Sequence, residues 1–139
     1  MGKDVMMALT NKVLVVDDEI SLVQLCQLIL EDAGYEVRGA NSGTEALRLI
    51  HEEVPDLVLL DVMMPGMDGL EVCREIRRRF EAERPYILMY TADDRDLTRQ
   101  NSLRAGANDL ITKDTPVHEL ASRLSDFISM AQRMAYSLD

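Results

Sequence analysis

Asp17, Asp18, Asp61, Thr91 and Lys113 are the residues of this chain whose types and settings could do chemistry together. Each stands at or just after the end of a short apolar run, where a strand would deliver it to one edge of a sheet. Three carboxylates in one crevice repel. Unit charges ~4 Å apart at an effective dielectric of ~20 cost ~4 kcal/mol per pair, so such a site needs a cation or a shifted protonation state. Hard oxygen donors point to Mg2+, which is commonly held by one or two carboxylates together with phosphate oxygens. An ammonium and a hydroxyl complete a reaction. A carboxylate attacks a phosphoryl group to form an aspartyl phosphate, Mg2+ and the lysine neutralise the phosphoryl oxygens, and the threonine donates to one of them. Singly, every one of these residues has an ordinary explanation: a strand-end Thr is a β-former, a lone Lys is surface, and an acidic pair or a strand-end Asp caps a turn. Their joint placement argues for chemistry.

The apolar pattern gives the elements that must position them. Leu57-Val58-Leu59-Leu60 is too short for a helix, lies between Pro55 and Pro65, and predicts a strand from Asp56 to Asp61 buried on both faces. Lys12 to Val16 is a β-branched run that ends in Asp17-Asp18-Glu19. Leu22, Leu25, Cys26, Ile29 and Leu30 then repeat at threes and fours, the stripe of a helix that Gly34 stops. Tyr35 to Ala40 predicts a second strand, and Ser42 with Glu45 forms a capping box that opens a helix through Ala46, Leu47, Leu49 and Ile50. Asp68-Gly69 leads into a third helix with Leu70, Cys73 and Ile76 inside and Arg74, Arg77, Arg78 and Arg79 as a solvated face. Tyr86 to Thr91 is the fourth strand. Asp93, Asp94 and Asp96 suit the positive end of a fourth helix, which runs to about Ala105 with Gly106 as its stop. Asp109 to Thr112 makes a short fifth strand leading to Lys113. Thr115 as cap and Pro116 as first helical residue open the last helix, with Val117, Leu120, Ala121, Leu124, Phe127, Ile128 and Ala131 as its stripe. If that helix reaches Ser137 it is ~33 Å long, more than a small sheet needs, so its final turns with Met130 and Met134 are expected to project.

Five alternations of strand and helix with short connections predict an α/β fold: a single doubly wound, five-stranded parallel sheet with five helices. Ligands of such sheets collect beyond the carboxyl ends of the strands, the edge that all five candidate residues face. The expected organisation is an N-terminal lead over residues 1–10 and one domain over 11–139.

Composition narrows the function classes. With 139 residues the chain can bury a core without disulfides, and no apolar run approaches the ~20 residues of a membrane span. The start, Met1 to Ala8, has no apolar segment of secretory length, so the chain is expected in the cytoplasm. Cys26 and Cys73 fall on helical stripes without metal or redox spacing and read as small buried hydrophobes. A net charge of -10 repels phosphate backbones, which makes proteins or cations the expected partners rather than nucleic acid.

Val15-Val16-Asp17-Asp18-Glu19, Leu60-Asp61-Val62-Met63-Met64-Pro65-Gly66-Met67-Asp68-Gly69, Tyr90-Thr91-Ala92 and Gly106-Ala107-Asn108-Asp109-Leu110-Ile111-Thr112-Lys113 resemble the receiver domain of two-component response regulators. The resemblance covers about residues 11 to 131. It implies the flavodoxin-like strand order 2-1-3-4-5, the order of a chemotaxis receiver that serves as a standard example of the fold. It also implies that Asp61 is the phosphoacceptor, phosphorylated from the histidine of a sensor kinase or a phosphotransfer protein. Asp18, Asp61 and the Met63 backbone carbonyl are then direct Mg2+ ligands, and Asp17 acts largely through water. Lys113 pairs with the phosphate, and Thr91 bonds it and draws the following loop inward. That movement remodels the face of the fourth helix, fifth strand and fifth helix, which an output protein or domain reads. Such a protein phosphorylates itself from a donor and slowly loses the phosphate, without a turnover substrate.

Four departures or tuning positions stand out against that pattern. Leu110 occupies the place of the usual Tyr or Phe switch, so coupling is expected to weaken or to use Tyr90. Asp114 replaces the proline that usually follows the lysine in a cis peptide; a non-proline cis bond costs ~3 kcal/mol, leaving a strained or a trans bond. Met63 and Asp93 occupy the two positions that tune phosphate lifetime, a bulky apolar group hindering water and a carboxylate able to orient it. Asp109 and Arg123 resemble charges with which some receivers dimerise. Other readings are weaker. A haloacid-dehalogenase-type phosphatase wants an Asp at Met63, and an FMN binder wants a phosphate loop where Asp17-Asp18-Glu19 would repel it. An interaction module independent of phosphorylation predicts a missing acceptor or metal ligand. A receiver over these residues is expected either as a stand-alone regulator or as part of a longer regulator or hybrid kinase, and the sequence does not separate the two.

Overall fold

The computed structural model describes residues 12–80 and 84–137, with side chains in the last helix through Met130 and at Arg133. Strands and helices alternate: β1 (Lys12–Val16), α1 (Ile20–Asp32), β2 (Glu36–Ala40), α2 (Gly43–Glu52), β3 (Leu57–Leu60), α3 (Gly69–Arg79), β4 (Tyr86–Thr91), α4 (Asp96–Ala105), β5 (Asp109–Thr112) and α5 (Val117–Ser137). The five strands form one sheet in the order β2-β1-β3-β4-β5, every pair parallel.

Period-two alternation sorts each apolar run onto two faces. Leu14, Val16, Val58, Leu60, Ile87, Met89 and Leu110 pack with Ala46 and Ile50 of α2, Val72, Cys73 and Ile76 of α3, and Ala105 of α4. Val13, Val15, Leu57, Leu59, Leu88, Tyr90 and Ile111 pack on the other face with Val23, Cys26 and Leu30 of α1 and Leu120, Leu124, Phe127 and Ile128 of α5. The register sets the site. Val16 is level with Ala40 and Leu60, and Leu60 with Met89, so Asp17 and Asp61 are the next residues at one edge. Thr91 is level with Thr112, which makes Lys113 the next residue there.

Several expectations need correction. Tyr35, Asp56 and Asp61 lie just outside their strands, and α5 begins at Val117 rather than Pro116. On α1 the buried set is Val23, Cys26 and Leu30, Leu22 and Ile29 are half-buried and Leu25 is exposed, because the face turned to the sheet is centred on Cys26 and Leu30 and its edge takes in Val23 rather than Leu25. On α3 Val72 is fully buried and Leu70 only partly. Arg77 is not solvated. Its Nε donates to the Gly106 carbonyl at 2.8 Å, Nη1 to the Pro85 carbonyl at 2.9 Å and Nη2 to Asn108 Oδ1 at 2.7 Å, tying α3 to the strands and turn beside it. Lys113–Asp114 is a trans bond; the cis bond among the described residues is Arg84–Pro85. Met130 is exposed on the long last helix. The lead over residues 1–10 and the side chains of Ala131 and Met134 lie outside the described residues.

Candidate phosphoacceptor site

Each strand end fixes its polar residue through the backbone. Asp17 N–H donates to the Ala40 carbonyl (3.1 Å) and Asp61 N–H to the Val16 carbonyl (3.0 Å), which carries the ladder one residue past the strands. Asp17 Oδ1 then accepts the Glu19 N–H at 2.9 Å and turns the chain into α1, and Asp61 Oδ1 accepts the Met63 N–H at 3.3 Å. The capping role and the chemical role coexist in these side chains, one oxygen for each. Beyond Asp61 the chain folds back at once: Gly69 N–H donates to the Val62 carbonyl, and a Cβ at Gly69 would lie 2.0 Å from the Asp61 carbonyl oxygen. Only glycine allows α3 to start against the Asp61 backbone, while Asp68 caps that helix through the Glu71 N–H.

On the other side of the crevice the Thr91 carbonyl accepts the Lys113 N–H at 2.8 Å. Lys113 Nζ reaches Asp17 Oδ2 at 2.7 Å and Asp61 Oδ2 at 3.3 Å, so an ammonium bridges two buried carboxylates. Asp18 is exposed beside them, and one oxygen from each of Asp17, Asp18 and Asp61 lies within 4.8 Å of the others. Opposite ligands of Mg2+ stand ~4.2 Å apart, given its ~2.1 Å bonds, so this all-oxygen, net-negative set fits such an ion. Burial and the neighbouring Asp17 push the Asp61 carboxyl above its usual range, with Lys113 opposing. Burial pulls the Lys113 ammonium down, but its bond to Asp17 and the charge of Asp61 outweigh this and raise it.

The remaining candidates are placed as follows. Thr91 is fully buried, and its Oγ1 accepts the Asp93 N–H at 3.3 Å, leaving the hydroxyl proton available to donate. Met63, two residues beyond Asp61, is 64% exposed. Asp93 does not hang free. Its Oδ1 accepts from Arg95 N–H (3.1 Å) and Nε (2.9 Å), and its Oδ2 from Arg95 Nη2 (2.7 Å) and Thr98 Oγ1 (2.6 Å). The Arg95 and Thr98 bonds hold the Asp93 carboxyl well below the usual carboxylate range. Leu110 is buried on the α2–α3–α4 face, whereas Tyr90 is buried on the α1–α5 face with its ring 5.9 Å from Lys113 Nζ. Asp114 accepts the Thr112 hydroxyl, and Thr115 N–H closes the turn on the Thr112 carbonyl. Gly69, Arg95 and Thr98 were not singled out from the sequence as site residues. A glycine directly after a capping Asp was a usable signal for the first; nothing local marks the other two.

Known proteins share this fold. CheY4, a chemotaxis protein of Vibrio cholerae, is 34% identical with a TM-score of 0.79, the match covering 84% of this chain and 98% of that one. The BeF3-activated N-terminal receiver domain of RstA from Klebsiella pneumoniae is 36% identical with a TM-score of 0.77, covering 85% of this chain and 98% of that one. NtrX of Brucella abortus is 29% identical with a TM-score of 0.82, and its match covers 94% of this chain but 30% of NtrX. Residues 13–125 match the family model for the response regulator receiver domain, and with the strand order and the acidic cluster in place the chain belongs to that family of two-component systems.

Proposed function

We propose that this receiver accepts a phosphoryl group on Asp61 from the phosphohistidine of a sensor kinase or a phosphotransfer protein, in the cytoplasm and with Mg2+ as cofactor. The observation that carries the reading is the Lys113 ammonium, 2.7 Å from Asp17 and 3.3 Å from Asp61, with the Thr91 hydroxyl buried at the adjoining strand end. Asp17, Asp18 and Asp61, with the Met63 carbonyl, are the groups to hold the ion. When bound, Mg2+ supplies positive charge toward the phosphoryl oxygens. An Asp61 carboxylate oxygen attacks phosphorus, the P–N bond to the donor histidine breaks, and its electron pair returns to the imidazole. Lys113 exchanges its contact with Asp61 Oδ2 for a phosphoryl oxygen, and Thr91 donates its free hydroxyl proton to another. The chain over residues 11–139 acts as one receiver whose α4-β5-α5 face is read by an output protein or domain. A homodimer through that face, where Arg123 is exposed and Asp109 is paired with Arg99, is checked by light scattering of the phosphorylated protein.

The test is intact-mass spectrometry after incubation with acetyl phosphate and Mg2+, on the wild type and on Asp61→Asn. Gain of one phosphoryl group that needs both Mg2+ and Asp61 is the expected result. No gain by the folded wild type would sink the proposal and leave an interaction module independent of phosphorylation, the reading that Leu110 and Asp114 favour.

A further inference from the structure

α4 is attached in an unusual way. The residues it buries are Thr98, Ser102 and Ala105, while Leu97 is 57% and Leu103 47% exposed. Ser102 Oγ is the buried side-chain polar atom left without a hydrogen-bond partner among the described residues. A helix with no large apolar side chain in the core gains little from burial and is cheap to displace. Polar ties of the helix among the described residues include Arg99 to Asp109 and to the Leu110 carbonyl, both at 3.4 Å, and the Arg77 bond to Gly106 at its far end.

Its first turn, by contrast, is connected to the site. Thr91 Oγ1 accepts the Asp93 N–H, the Asp93 carboxylate takes the Thr98 hydroxyl at 2.6 Å, and Arg95 grips both oxygens of the same carboxylate. Thr98 lies on the buried face of α4. An unbroken path of hydrogen bonds therefore runs from the hydroxyl at the strand end to the inner face of the helix. We infer that the Asp93–Arg95–Thr98 clasp is the element that transmits displacement of Thr91 to α4 in this protein. Leu110, which lacks a hydroxyl, cannot supply a polar link from its own position. In its signalling sense this rests on the phosphoacceptor reading, since phosphorylation is what moves Thr91; the mechanical link stands on the geometry alone.

Two arms test it on the whole protein. In the first, amide exchange of α4 is measured in a double-mutant cycle of Thr91→Val against the pair Arg95→Ala and Thr98→Val, without any phosphodonor. Thr91→Val is expected to raise α4 exchange about fivefold in the intact clasp, the size of one lost hydrogen bond, and to have no further effect once the clasp is cut. Equal effects of Thr91→Val in both backgrounds overturn the inference, as does no effect in the intact one. In the second arm acetyl phosphate and Mg2+ are added. The clasp variants are expected to reach wild-type phosphorylation by intact mass yet lose most of the phosphorylation-dependent change in α4 exchange; an undiminished change overturns the inference. A wild type that takes up no phosphate fails the functional proposal instead, and the first arm still decides the clasp. Arg95→Ala alone, an exposed substitution, guards against a folding defect of Thr98→Val.

Discussion

α3 and α4 lie side by side on the same face of the sheet, yet they are held there by different physics. α3 buries Val72, Cys73 and Ile76 completely and clamps its last turn through Arg77. α4 buries two hydroxyls and an alanine and turns its leucines outward. The first helix begins against the Asp61 backbone and the second begins a few residues after Thr91. The contrast teaches that Asp61, the proposed acceptor, is mounted on a rigid frame while the hydroxyl that would sense the phosphate is mounted next to a helix with little to lose by moving. That division is what a switch requires: one part must stay still for the other's motion to carry information.

The contrast can be broken most severely through α3. Ile76→Ala should cost about 3 kcal/mol by leaving a cavity in a layer with no room to collapse, read as a shifted denaturation midpoint. Arg77→Ala should cost about 2 kcal/mol by stranding the carbonyls of Pro85 and Gly106 and leaving Asn108 Oδ1 with the Ile87 N–H alone, and should loosen α3 and the end of α4 together in hydrogen exchange. The Asp61 end adds a pH signature. Because the Asp61 carboxyl is raised in the fold, the folded protein holds more protons than the unfolded one between the usual Asp value and the raised one. The Asp61 contribution to metal-free stability should therefore be fully present below that window and fall as pH rises through it, by no more than about 1.4 kcal/mol per pH unit, and the difference between wild type and Asp61→Asn in pH-dependent melting should show that slope. Ser102→Ala should go the other way, stabilising by up to about 1 kcal/mol because it removes an unsatisfied buried hydroxyl. Leu103→Ala should change stability by less than about 0.5 kcal/mol; a cost as large as that of Ile76→Ala would abolish the distinction between the two helices.

The parts legible in the sequence were those that local pattern determines. A run such as Leu57 to Leu60 can only be a buried strand, and parallel strands bring their ends to one edge, so Asp17, Asp61, Thr91 and Lys113 could be assembled before any coordinates. Parts that depend on how a helix is rotated, or on what a long side chain meets across space, were not legible. Leu25 and Val23 both fit a stripe on α1, and only packing against the sheet chose Val23. Arg77 sits among Arg74, Arg78 and Arg79, and nothing in the spacing distinguishes the one that finds three acceptors 8, 29 and 31 residues away. The sequence marks Asp93 as a carboxylate near the phosphate's expected position, but its engagement by Arg95 and Thr98 is set by the loop's conformation.

The two cysteines acquire a practical meaning from the two-faced core. Cys26 lies in the layer under α1 and α5 and Cys73 in the layer under α2, α3 and α4, and both are free thiols that burial pushes up to about 11. Thiolate is the species that a disulfide reagent captures, so neither residue should be modified while its layer stays shut. The chain thus carries one native chemical gauge on each side of the sheet. The labelling kinetics of Cys26→Ala and Cys73→Ala would time the opening of the two layers separately, without an added fluorophore.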